Sequence, residues 1–202
     1  MNRATEIRER TVGQFLDAIA SADPTPGGGS VAAVAGAMAA ALGMMVVAVS
    51  TKRGSDETLT RLGERFHAHR ESLVAMAAQD ELAFEEVMAA YRISKDDASR
   101  PSRIEQSLHA AADVPLQTLE RCVALLNDLE CLAPRAGKNI TSDVRVAAAL
   151  ARCVVSSACY NVEVNCRAIK DDAQRNHYST AQEDLAQTAY AIAQRIEDVL
   201  SA

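Results

Sequence analysis

Asp23-Pro-Thr-Pro-Gly-Gly-Gly-Ser30 opens a stretch in which no charged residue occurs from Pro24 to Thr51. The nineteen residues 31–49 are all apolar or glycine, and ten of them are alanine or glycine. Prolines restrict the approach to this run, glycines let backbone come close to a neighbour, and Ser30 is placed to cap a helix. Such a run is long enough to span a membrane. Its alanine and glycine content makes it only modestly hydrophobic, and no second run of this kind occurs in the chain. The expectation is therefore a helix apolar on all sides at the centre of a bundle, with no membrane partner.

The remaining pattern agrees. Helices are predicted over 8–21, 29–52, 56–91, 102–131, 141–173 and 178–201, with no period-two segment. The breaks fall at Pro24/Pro26, Gly54-Ser55, Ser99-Arg-Pro101, Pro134-Arg-Ala-Gly137 and Asn176. Pro115 predicts a kink or restart, with Asp113 as cap. Aromatics make up 3% of the 202 residues and tryptophan is absent, which suits close helix packing. The fold class expected is all-α: a bundle of about six helices around a buried Ala/Gly-rich central helix, with 1–202 as one domain.

The formal net charge of −6 argues against nonspecific nucleic-acid binding. The charged N-terminus, Met1 to Arg10, has no apolar leader region. Five cysteines with no Cys-x-x-Cys pair read as reduced thiols packed in helices of a cytoplasmic protein, with neither a disulfide framework nor a zinc site. His67 and His69 point about 200° apart on a helix and cannot share a metal. All four histidines are expected to be structural or solvated. Gly27-Gly-Gly29-Ser-Val-Ala32 fits a dinucleotide fingerprint. It lacks the preceding strand, however, and has Lys52 and Arg53 where an acid is needed.

Several polar residues stand in apolar company. In the third helix Leu59, Leu62, Phe66, Leu73, Phe84, Val87 and Tyr91 fall within about 40° of one line, and Asp80 sits near its middle. A carboxylate there is either held by a neighbouring helix end or an arginine, or it is functional. Desolvation would raise its pKa toward the range useful for proton transfer. In the fifth helix Asp143, Ser157 and Asn161 share the sector of Leu150 and Val154. Asp143 is explained equally by helix-start electrostatics, with Thr141 or Ser142 as cap. Ser157 and Asn161 are either interhelical hydrogen-bonding groups or ligand contacts. This helix is apolar on two faces, Val146, Leu150, Val154 and Val164 against Val155, Cys159 and Cys166, which predicts a central position or a subunit contact. Lys52 and Arg53 either complement a helix C-terminus or hold an anion.

With these residues in view, the chain resembles the cyclodeaminase/cyclohydrolase family of folate one-carbon enzymes over roughly residues 12–200. Four blocks carry the resemblance: Phe15-Leu-Asp17 leading to Pro24-Thr-Pro-Gly-Gly-Gly-Ser30; Asp80-x-x-Ala-Phe-x-x-Val-Met-Ala-Ala-Tyr91; Ala112-Asp-Val-Pro-Leu116; and Asn139-x-x-Ser-Asp143 with Asn161-Val-x-Val-Asn165. The resemblance implies an all-helical homodimer acting on the N5–C–N10 bridge of tetrahydrofolate, without metal or redox cofactor. The leading expectation is hydrolysis of 5,10-methenyltetrahydrofolate to 10-formyltetrahydrofolate. No transferase segment accompanies the helical one, which favours that choice. The alternatives are a formiminotetrahydrofolate cyclodeaminase that releases ammonia, and a catalytically silent folate-binding protein. The family's catalytic aspartate matches Asp80. Around it, Pro26, Gly27, Gly28, Gly29 and Ser30 are expected to line the pocket. Asp143 and Asn161 are expected to hydrogen-bond pterin or hold Asp80, with Asn139 a further substrate contact and Lys52 and Arg53 on the glutamate tail. The chain departs from the pattern at Thr51-Lys-Arg-Gly-Ser55, at Ile93-Ser-Lys95 and at Arg145.

Overall fold

The computed structural model describes residues 7–52, 54 and 56–201. Among these residues the longer helices are α1 (Val12–Ile19), α2 (Gly28–Thr51), α3 (Glu57–Arg92), α4 (Arg100–Leu132), α5 (Thr141–Cys166) and α6 (Asp172–Ser201), with 3-10 turns at Ala133–Arg135 and Lys138–Ile140; residues 7–9 are also helical. No strand occurs among the described residues, in line with the all-α expectation.

The pairing of α2 with α3 sets the architecture. A Cβ on Gly43 would come within 2.7 Å of the Phe66 ring, one on Gly36 within 3.2 Å of both Leu73 methyls, and one on Gly29 within 2.0 Å of Asp80 Oδ1. Both series step by seven residues, in opposite directions. Two antiparallel helices thus meet along a seven-residue seam, in which large α3 side chains seat on bare α2 backbone. Asp80 holds the register place that Phe66 and Leu73 hold in the buried half. Its position in an apolar line follows from that seam.

α4 and α5 complete the core around α2 and α3, and α6 packs on α4 and α5. Phe66, Leu73, Leu119, Leu125, Leu126, Val144 and Ile192 are all essentially inaccessible. A second cluster gathers Leu108, Ala112, Leu116, Val162, Ile169 and Tyr178 at the other end of α4. The α3 line splits at Asp80. Leu59 to Leu73 are buried, whereas Phe84 and Tyr91 are 37% and 44% exposed. The first of the two α5 faces is itself divided: Val154 is buried, as is Val155 of the other face, while Val146 and Val164 are exposed.

Pro115 stays inside one continuous helix. It has no N–H for the Ala111 carbonyl, and Asn165 Nδ2 on α5 supplies that bond at 2.7 Å. Asp113 therefore caps nothing; it accepts from the Tyr178 hydroxyl at 2.6 Å. The fifth helix ends at Cys166, short of the expected 173, and Asn176 lies within α6. Tertiary contacts make that turn. Glu105 of α4 accepts from the Lys170 and Asp171 amides, and Arg175 donates to the Ile169 and Lys170 carbonyls. Asp171 caps the next helix through the Ala173 and Gln174 amides.

Helix α1 is shorter than predicted. Thr11 starts it in a reciprocal capping box with Gln14. The residues before it strap onto α3, with Ile7 buried, Arg8 bonded to Glu71, and Arg10 3.8 Å from the buried Glu81. His69 is buried, 2.8 Å from Asp128, whose other oxygen takes Arg65 at 2.7 Å. It is structural, as expected of the histidines.

Candidate active site

The mouth of α2 is built from backbone. Gly27 is the N-cap and offers no side chain to the free amides of the first turn. Ser30, expected as the cap, lies inside the helix and is fully buried. The cap comes instead from α3: Asp80 Oδ2 accepts the Ser30 amide at 2.8 Å and lies 3.0 Å from Ser30 Oγ. That oxygen is oriented as an N-cap side chain would be, and the positive end of α2 favours a negative charge there. The Ser30 hydroxyl also lies 3.0 Å from the Ala77 carbonyl.

Asp80 is thus satisfied by a neighbouring helix end, but only on one side. Oδ2 is occupied, whereas Oδ1 has no hydrogen-bond partner among the described residues. Oδ1 lies over Gly29 at a narrow crevice lined by Gly29, Ala32, Val114, Pro115, Ala158 and Asn161. Burial holds the Asp80 carboxyl above the usual carboxylate range, and the two Ser30 hydrogen bonds pull the other way without cancelling it. A half-buried carboxyl with one free oxygen is equipped to take and return a proton.

The sequence-predicted residues fall into two groups. Pro26, Gly27, Gly28, Gly29, Ser30, Asp80 and Asn161 come together: Pro26 is buried beneath the loop, and a Cβ on Gly28 would sit 3.6 Å from Asn161 Oδ1. Asn161 Nδ2 bonds back to the Ser157 carbonyl at 2.8 Å, which leaves its oxygen toward Gly28. Ser157 likewise bonds its own helix, at the Cys153 carbonyl. Lys52 stands at the opposite end of α2, about 33 Å from Ser30 at 1.5 Å per residue. Asp143 stands about 27 Å along α5 from Asn161 by the same rise, and Asn139 is exposed just before that helix. In this chain, then, Lys52, Asn139 and Asp143 do not share the Asp80 crevice. Arg53 lies outside the described residues. Thr141 and Ser142 are inside α5 and cap nothing; Thr141 Oγ1 donates to the Lys138 carbonyl.

Sequence reasoning missed Ala77, whose carbonyl completes the Ser30 environment, and quoted Val114 and Pro115 within a motif without placing them on the crevice wall. Only the Pro115 signal was visible, as a kink.

Fold and site define an all-helical protein with a half-buried carboxyl set across the bare mouth of a glycine-faced helix. The family model described as formiminotransferase-cyclodeaminase matches residues 11–184, and the chain belongs to that family. A methenyltetrahydrofolate cyclohydrolase of Methylorubrum extorquens is 34% identical over 94% of this chain and 95% of its own length. The formimidoyltransferase-cyclodeaminase of Sus scrofa is 32% identical over 93% of this chain, which spans 36% of that longer protein. The crystal structure of formiminotetrahydrofolate cyclodeaminase from Thermotoga maritima superposes with a TM-score of 0.89 at 32% identity, covering 96% of this chain and 98% of that one.

Proposed function

We propose that this chain hydrolyses 5,10-methenyltetrahydrofolate to 10-formyltetrahydrofolate, with Asp80 as the proton shuttle. The observation that carries the reading is the half-satisfied carboxyl: Oδ2 anchored on Ser30, Oδ1 free at the crevice. Water adds to the carbon between N5 and N10, and Asp80 Oδ1 takes the proton that water gives up. The tetrahedral carbon then re-forms a carbonyl as its bond to N5 breaks, and its hydroxyl releases the second water proton to solvent. Asp80 returns the proton to N5, leaving the formyl group on N10. No electron count changes, so the proposed step calls for no redox cofactor. Holding the folate bridge over Oδ1 supplies the orientation part of the rate.

The structural likeness to a named cyclodeaminase favours a second reading, in which N10 attacks a formimino carbon and Asp80 passes a proton to departing ammonia. Mixing the purified protein with each folate and following the methenyl chromophore separates the two. Accelerated loss marks the hydrolase, and appearance with ammonia marks the deaminase. Unchanged spectra despite folate binding leave a silent binder.

We also propose a homodimer with α2 at its interface. Val31, Ala35, Met38, Leu42 and Met45 form an i, i+4, i+7 stripe on the side of α2 away from α3. Met38 is 50% exposed. α2 is long and apolar enough to cross a membrane, but half of it is buried inside the fold. A second copy on the stripe accounts for the rest without a lipid phase. If the two α2 helices pair antiparallel about a two-fold axis, the Lys52 and Asp143 end of one copy comes beside the Asp80 end of the other. That arrangement would return the separated residues to one site. Five free cysteines suit the reducing cytoplasm.

A further inference from the structure

We infer that Ser30 is a positioning residue for the proton on Asp80: its amide keeps that proton on the crevice-facing Oδ1, and its hydroxyl turns between Oδ2 and the Ala77 carbonyl as the carboxyl loses and gains it. The inference rests on the proton-shuttle reading of Asp80.

The amide comes first. Ser30 N donates to Oδ2 at 2.8 Å, and the peptide plane fixes where its hydrogen points. A carboxyl proton on Oδ2 would compete for the space that this N–H occupies. Oδ1 carries no such donor, so the neutral acid holds its proton there, where substrate can reach it.

The hydroxyl comes second. Ser30 Oγ lies 3.0 Å from Asp80 Oδ2 and 3.0 Å from the Ala77 carbonyl. A hydroxyl has one hydrogen to give, so it serves one acceptor at a time. When Asp80 is ionised, Oδ2 is the stronger acceptor. When Asp80 is neutral, Oδ2 becomes an ordinary carbonyl oxygen, and the peptide carbonyl of Ala77 takes the bond. Ser30 is 0% exposed, so the hydroxyl has no bulk water to turn to, yet in both states its hydrogen is bonded. The same burial rules Ser30 out as a substrate contact.

Little else acts on this carboxyl. Gly29 and Ala32 of α2, Val114, Pro115 and Thr118 of α4, and Ala158 and Asn161 of α5 face the crevice, and none is charged. On α3 itself, Glu81 is turned to Arg10 of the N-terminal strap. Asp113 on α4 faces Tyr178.

The test is a carboxyl-carbon NMR titration of Asp80, assigned by the signal lost in Asp80→Asn, in wild type, Ser30→Ala and Ser30→Thr. Losing a hydrogen bond to the charged form should raise the midpoint in Ser30→Ala by on the order of one pH unit. Ser30→Thr, which keeps the hydroxyl, should stay near wild type. The pH limb of methenyltetrahydrofolate turnover that reports ionised Asp80 should move with the midpoint. If Ser30→Ala does not fold, Ser30→Cys replaces it, since a thiol is a weak donor. A midpoint unchanged from wild type overturns the inference. Loss of the folate reading is seen separately, as absent turnover in wild type, while the titration still decides the Ser30 coupling.

Discussion

Gly29 and Asp80 depend on one another at the level of single atoms. Any side chain at position 29 meets the carboxyl head-on, with a Cβ only 2.0 Å from Oδ1. Gly29→Ala must therefore push α2 away from α3 or turn Asp80 out of place. We expect turnover to fall at least about tenfold, and stability by about 1–3 kcal/mol as in other overpacked sites. Gly36→Ala is the control. Its Cβ meets flexible Leu73 methyls at 3.2 Å, so thermal melts should shift while kcat holds. The raised Asp80 pKa also has a signed consequence. The folded carboxyl binds its proton more tightly than the unfolded one, whose ordinary value is 3.8. Stability from this group is therefore full below that value and is lost as pH rises through the folded pKa. Measured against Asp80→Asn, which cannot titrate, wild type should lose relative stability on going from acid to neutral pH. A flat difference across urea melts at several pH values would contradict the raised pKa.

At the level of elements, the central helix was legible because absence of charge over so long a run leaves few other folds open. Its limits, 29–52 expected and Gly28–Thr51 observed, follow from the glycines and the charged residues beyond. The seven-residue spacing of Gly29, Gly36 and Gly43 was also present in the sequence. It becomes meaningful only when matched with Phe66, Leu73 and Asp80 running the opposite way. The α5–α6 turn was expected at Asn176 and lies instead between Cys166 and Asp172, because no glycine or proline marks it. Glu105 and Arg175 hold it from elsewhere in the fold, and only Asp171 as a cap gave a local sign. Asn165 illustrates the same limit. It was quoted only as part of a motif, and its work is to satisfy the carbonyl that Pro115 leaves open. Asn165→Ala should cost about 1–3 kcal/mol by orphaning a buried acceptor. Pro115→Ala, which restores the helical N–H, should recover part of that loss in the double variant. Strict additivity in chemical denaturation would argue against the link.

Over the whole molecule, the candidate residues lie at two ends of one helix, a separation no one-dimensional reading could show. Asp143 was grouped with Asp80 as a polar residue in an apolar sector and Lys52 as a cation for the glutamate tail that the resemblance implies, and sequence carries no record of which end of a bundle each occupies. The proposed two-fold pairing along α2 makes a direct prediction. Wild type should sediment at twice the 21.5 kDa chain mass. Met38→Glu, which places a charge in the centre of the stripe, should sediment as a monomer. If the partner completes the site, the same variant should lose most folate turnover although Met38 is remote from Asp80. A monomeric wild type with full activity would remove the dimer from the account.

The central claim is that Asp80 moves the proton at the folate bridge. The most direct measurement is the decay of methenyltetrahydrofolate absorbance with wild type and with Asp80→Asn, each checked for native fold by circular dichroism. The account predicts enzyme-dependent decay in wild type and a loss of about 10²–10⁴-fold in the variant, the range a positioned acid–base group supplies. A folded Asp80→Asn protein that retained wild-type turnover would contradict it.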